Sequence, residues 1–219
     1  MDNNLLNLFF PALWETVYMV FFSSIFSILL GFPLGILAVI TDKGHILERP
    51  VTKKCLDIFI NVFRSFPFII LMILVFPLSR FIVGTTIGST ATIVPLSIAA
   101  APFVARLIEG AIKEVDGGLI ELSKSLGATN WEIIFKVLIP EAMPSLIHSF
   151  TITVISIIGY SAMAGAIGGG GLGDLALRYG YQRFKTDIMI MAVVVIIIIV
   201  QLIQIFGDTI VKKIKKNRK

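Results

Sequence analysis

Long windows without a single charge constrain this chain more than any other feature. One lies between Glu15 and Asp42, another between Arg80 and Arg106, and Met191 to Val200 is an unbroken apolar run. At about 1.5 Å of rise per residue, roughly 20 residues cross the hydrocarbon of a bilayer. A chain that is 56% hydrophobic and 15% charged leaves large apolar areas exposed if it folds as a water-soluble globule. Lipid requires each backbone N–H and C=O to be satisfied within the segment, and the runs lack the alternation of a β-barrel, so the expected class is all-α and integral to a membrane. We expect a single transmembrane domain over residues 1–219 with five spans, near 16–40, 56–78, 91–105, 146–167 and 188–206. Within the first, Gly31 and Gly35 form a small-xxx-small pair beside Pro33, which is expected to bend it; Pro95 and Pro102 predict an irregular third span. The start Met1-Asp-Asn-Asn-Leu lacks the basic residues of a secretory signal, so the first span is expected to be retained.

Lysine and arginine placement sets the orientation, because basic residues flanking spans stay on the cytoplasmic side. With the N-terminus outside and the C-terminus inside, fourteen of the nineteen basic residues are cytoplasmic, including Lys43, Lys53, Lys113, Lys124, Lys136 and the run Lys212 to Lys219. Only Arg80, Arg178, Arg183 and Lys185 fall outside, and Arg64 lies within the second span. The net charge of +5 is then a topology and anionic-lipid signal; the basic residues form separate juxtamembrane clusters rather than a nucleic-acid surface.

Between the third and fourth spans lies a polar segment, 117–140, too short and too hydrophilic to cross. Thr129 as N-cap with Glu132 three residues later forms a capping box, and Trp131, Ile134, Phe135 and Leu138 are expected along one face of the helix it opens. Gly127 separates that helix from the preceding Leu119-Ile-Glu-Leu-Ser-Lys-Ser-Leu stretch, and Pro140 is expected to stop it. Two short amphipathic helices held at the membrane surface form a prong that a partner's groove can grip.

Catalytic signatures are missing, so the chain is not expected to be an enzyme. No G-x-x-x-x-G-K-[ST] phosphate loop occurs, so ATP is not bound by this chain and no cofactor is expected in it. Gly168 to Gly173 satisfies G-x-G-x-x-G formally, but it follows a span rather than a strand; it reads as a hinge, a close-packed external turn or a gate at the external mouth. His45 and His148 have no Cys, Asp or Glu at ligand spacing, which leaves no metal site, and the lone Cys55 has no assigned role. Arg64, about 10 Å beyond Asp57 along a helix, either packs against nearby loop carboxylates or lines a broken, hydrated stretch with Asn61, Ser65 and Pro67. In the fourth span the small residues around Ser161, Ala162, Gly165 and Ala166 serve either simple helix packing or a symmetric interface whose axis is a conduit narrowed by Tyr160 and Met163.

The segment from Ile93 to Ser145 resembles the permease subunits of ATP-binding-cassette importers. That family's cytoplasmic loop carries E-A-A, three residues, Gly, nine residues and I-x-L-P; here the pattern reads Glu121-Leu-Ser, Gly127 and Val137-Leu-Ile-Pro140, with four substitutions by small or apolar residues. Asn61 to Phe68, Ala100 to Phe103, Gly159 to Met163 and Gly170 to Gly173 extend the resemblance over nearly the whole chain and are similar to the methionine-uptake permeases. The resemblance implies a type I importer transmembrane domain in a bacterial inner membrane, working with a second copy of itself. It also implies two cytoplasmic ATPase subunits that bind ATP and magnesium, and an extracytoplasmic binding protein that delivers substrate. On that reading Glu121, Ser123, Leu126, Gly127, Ala128, Thr129, Trp131 and Pro140 dock the ATPase subunit, while Tyr160, Ser161, Met163 and Arg64 line or gate the pathway. The alternatives are a permease for another amino acid or small solute, and a secondary transporter, against which stand five spans that do not divide into repeats and a lack of buried carboxylates.

Overall fold

The computed structural model describes residues 3–216; Met1, Asp2, Arg218 and Lys219, which entered the topology reading, lie outside the described residues. The chain folds into helices α1 (Asn3–Ile40), α2 (Pro50–Ser65), α3 (Phe68–Val83), α4 (Ser89–Lys113) and α5 (Gly117–Ser125). A short α6 (Asn130–Glu132) passes through a π-helical segment (Ile133–Leu138) into α7 (Ile139–Gly165), followed by α8 (Gly171–Leu175), a π turn (Ala176–Tyr181) and α9 (Thr186–Lys216). Four helical stretches are long and apolar enough to cross a membrane, and five if the bent pair of α2 and α3 counts as one crossing.

The centre of the bundle is the α1–α4 contact. A Cβ placed at Gly31 would lie 2.6 Å from the Ala101 carbonyl oxygen, and one at Gly35 would lie 2.7 Å from that of Ala105. The small-xxx-small pair therefore brings two backbones of one chain together. Helix α1 runs through Pro33 as one element, and α4 likewise through Pro95 and Pro102. The expected bend and irregularity leave both helices unbroken. Ala101, Val104, Ala105 and Ile108 are buried along this seam.

The second span departs from the expected single helix over 56–78. It is two helices meeting at 103°, because Phe66, preceding Pro67, is held in extended backbone at ψ 133°, away from the helical region that the proline ring disfavours. Pro140 also behaves unlike a stop signal. The helix from Asn130 continues to Gly165 through it. In the π segment the Ile139 N–H donates to Ile134 O, five residues back, and Pro140, in the first turn of the renewed α-helix, needs no amide donor there.

Helix α9 is the most exposed of the long apolar helices. Of its long apolar stretch only Ile188, Ala192 and Gly207 are buried, as expected of an element whose solvent on most sides is hydrocarbon. Gly207 sits on α7, where a Cβ would fall 2.2 Å from Thr151 Oγ1.

Candidate functional site

The prong of residues 117–140 is built as a two-sided element. Asp116 caps α5 by accepting the Gly118 N–H at 2.8 Å, and Gly127, at φ +80°, turns the chain in the left-handed region that glycine occupies without a Cβ penalty. The Ala128 N–H donates to Ser123 O at 3.0 Å and closes the turn. The capping box forms as read: Thr129 N–H donates to Glu132 Oε2 at 3.1 Å and Glu132 N–H to Thr129 Oγ1 at 3.4 Å.

Side chains divide between the prong's two sides. Ile120, Ile133, Ile134 and Leu138 are buried with Val39, Val104, Ile108 and Leu146 in the core joining the prong to α1, α4 and α7. Leu122, Leu126, Trp131 and Phe135 point outward. Trp131 and Phe135 stack with ring centroids 5.7 Å apart. This corrects the single face expected for residues 131, 134, 135 and 138: the pairs 131/135 and 134/138 lie on opposite sides, since residues four apart share a face. Glu121 and Pro140 are exposed, and Ser123 and Ala128 are half-buried beneath the turn. An apolar, aromatic outward patch fixed to the bundle by its own buried side can transmit a push or a pull without flexing.

The four residues expected to line or gate a pathway are not all on one surface. Tyr160 stacks on Phe68 with centroids 4.1 Å apart, just past the break between α2 and α3. Arg64, at the end of α2, shares with Tyr160 a cavity of about 180 Å³. Met163 is 47% exposed on the same open face of α7, whereas Ser161 is buried and donates to Ile158 O. Arg64 joins no ion pair among the described residues and stands in the wall of that cavity with Phe66 and Phe68, at the break between α2 and α3.

The nearby carboxylates, on α2, α4 and the loop after α1, have other partners, which sequence reasoning missed. Buried Glu109 accepts from Lys53 at 2.7 Å, Lys113 at 3.0 Å and Arg106, while Asp57 pairs with Lys53 at 2.8 Å and Arg106 at 3.1 Å. Lys113 also reaches Asp42 at 2.7 Å. This cluster ties α2 and the loop after α1 to the C-terminal end of α4. The Lys113 hydrogen bond holds the Asp42 carboxyl below the usual range, so the contact is at full strength above about pH 4 and is lost only as pH falls through the lowered folded value. The signal was present in the sequence as Arg106, Glu109 and Lys113 at helical spacing, but nothing local told that Lys53 and Asp57 would meet them.

The glycine run at 168–171 packs as a close turn. The Gly171 N–H donates to Glu15 Oε2 at 2.7 Å and the Leu172 N–H to Thr16 Oγ1 at 2.8 Å. Gly173 lies so near α7 that a Cβ would fall 2.3 Å from Ala162 O. Gly165 and Ala162 are therefore used for packing within the chain. Among the described residues no group of three His, Cys, Asp or Glu gathers to hold a metal ion.

Comparison with known proteins places this geometry among relatives. A family model described as binding-protein-dependent transport system inner membrane component matches residues 27–217. A probable D-methionine transport system permease protein MetI of Vibrio cholerae is 48% identical over 208 residues, covering 95% of this chain and 92% of the relative. The methionine import system permease protein MetP of Bacillus subtilis is 48% identical over 206 residues, 94% and 93% of the two chains. Among solved structures, an inward-facing conformation of the MetNI methionine ABC transporter superposes with TM-score 0.96 at 44% identity, covering 98% of this chain and 99% of that one. An amino acid ABC transporter solved with histidines has a TM-score of 0.77 at 20% identity, a likeness of fold.

Proposed function

The chain belongs to the family of binding-protein-dependent transport system inner membrane components, and from that premise we propose that it forms the membrane pathway of an ATP-driven methionine importer. It is the permease subunit of an ABC importer. Methionine is the substrate named for relatives 48% identical over nearly the full chain, and the inward-facing methionine transporter has the same fold over 98% of it. The observation that carries the reading is the prong, with Leu122, Leu126, Trp131 and Phe135 outward and Ile120, Ile134 and Leu138 buried in the bundle.

The working unit is two copies of this chain, each with a cytoplasmic ATPase subunit seated on residues 117–140, and an external binding protein that hands over substrate. ATP and magnesium are held by the ATPase subunits. The prongs face the cytoplasm, as the distribution of lysine and arginine requires, with the N-terminus outside. Leu126 and Trp131 provide the apolar seat and Glu121 a polar contact, while Ser123, Gly127, Ala128, Thr129 and Pro140 give the prong its shape. Closure of the ATPase pair draws the prongs together and opens the pathway outward; hydrolysis reverses it. Moving a two-state pore from 1:99 to 99:1 takes about 5.5 kcal/mol of differential binding, a demand that state-dependent contacts at two prongs can meet. Tyr160 and Met163 narrow the conduit where the copies meet, and Arg64 lines the break beside it.

Uptake competition with the full complex in membrane vesicles tests the substrate. Unlabelled methionine is expected to suppress ATP-dependent uptake of labelled methionine, while leucine, histidine and glutamine do not. Stronger competition by one of those three, or uptake that persists without ATP, overturns the reading.

A further inference from the structure

Toward the cytoplasm from Met163, half-buried or exposed residues recur on α7 at Gly159, Ser156, Ile152, His148 and Ser145, each three or four positions from the last. This face leads from the Tyr160 level into a second cavity. The cavity is about 470 Å³, lies between α4, α7 and α9, and includes Ser145, His148 and Ile152 in its walls. Its size falls within the roughly 300–1,000 Å³ of small-molecule sites.

The charges around it are arranged unusually. Glu114, from the end of α4, and Lys215, from α9, both line the cavity. Glu114 accepts a hydrogen bond from Ser145 Oγ, Lys215 joins no ion pair among the described residues, and the two do not close on each other. Arg106, also on the wall, is already opposed by Asp57 and Glu109. Leu107 and Val211 add apolar surface beside Ile152. An acid and a base that face one space without pairing complement a zwitterion: its ammonium goes to Glu114, its carboxylate to Lys215, and an apolar side chain to Leu107, Ile152 and Val211.

We propose that this cavity is an inward-side site for an amino-acid zwitterion with an apolar side chain, occupied on the way from the gate to the cytoplasm. The proposal rests on the transport reading above and adds a resting place within the chain. The open rim and the exposure of Lys215 make the site weak, which suits a point of release. A phosphatidylethanolamine headgroup carries the same pair of charges and is the competing source of this chemistry.

The test uses the full complex in lipid nanodiscs without binding protein, a diazirine analogue of methionine as probe, and peptide mapping of the adducts. Adducts are expected within residues 145–152 and 211–215, and excess methionine should suppress them. Glu114→Gln and Lys215→Met should each lower the yield about tenfold, the loss of one charged hydrogen bond; Lys215→Arg should restore it. Both positions are exposed, so unchanged gel-filtration profiles are expected and separate loss of binding from loss of fold. Absence of adducts in both segments, or a yield indifferent to both charge removals, overturns the proposal. So does labelling that appears in phosphatidylglycerol discs and vanishes in phosphatidylethanolamine discs, since the headgroup is then the occupant. Normal methionine uptake beside absent labelling removes this site alone, whereas a complex that takes up no methionine removes the transport reading itself.

Discussion

Gly127 shows how one residue's backbone can matter more than its contacts. A Cβ there meets nothing within 4 Å, yet φ is +80°, so substitution costs backbone strain of about 1–2 kcal/mol for a residue that dislikes the left-handed region. Gly127→Val is expected to reduce uptake per ATP hydrolysed, whereas Gly127→Asn, which tolerates that region, should retain most of it; equal behaviour of the two variants counts against the turn as the cause. Glu109 is the opposite case, a side chain 4% exposed that holds three cations. Removing one partner from a buried pair costs about 3–5 kcal/mol. Lys113 and Arg106 remain 43% and 28% exposed, so Glu109→Ala should cost less, about 2–3 kcal/mol. Thermal unfolding of the detergent-solubilised permease measures it, and an unchanged midpoint would show the cluster to be ornamental. Gly127 was legible in the sequence because its role is local, while Glu109 was not, because its meaning depends on Lys53 from another helix.

At the scale of elements, the prong separates exposed side chains, which form the proposed docking face, from buried ones that hold it to the bundle. Trp131→Ala removes a 71% exposed ring and should leave the permease's melting unchanged while weakening capture of the ATPase subunit by about 2 kcal/mol, the cost of losing an aromatic anchor. Leu138→Ala, at 1% exposure, should instead destabilise the chain by about 2–5 kcal/mol through the cavity it leaves. Paired melting and pull-down measurements read both, and a melting loss in the first variant would place Trp131 in the core. The capping box and the turn could be read from residue order because their hydrogen bonds span only a few residues. The passage of the helix through Pro140 could not, since it depends on a π register whose longer bonds carry no residue signature. The same limit hid the α2–α3 angle: a single span was expected over 56–78, with a break near Pro67 only as one alternative for Arg64, and nothing in the residue order sets the 103° between the two helices.

For the whole molecule, the uncharged windows carried the membrane class, because it follows from the bilayer rather than from contacts, and the lysine and arginine bias supplies the proposed direction of insertion. A protease site inserted after Gly117 should be cut only from the cytoplasmic side of sealed vesicles; cleavage from outside would invert the topology and remove the docking reading. How the crossings pack on one another was less visible, and the α1–α4 seam shows why: Gly31 and Gly35 are informative only once the surfaces they meet, Ala101 and Ala105, are known. That seam has a mechanical consequence. With two backbones in near contact at Gly31 and Gly35, and the Val104 and Ile108 side chains filling the notches those glycines leave, α1 and α4 swing as a single stiff beam, so any tilting during a transport cycle is taken up where the chain is jointed, at the loop after Ile40 and the elbow at Pro67.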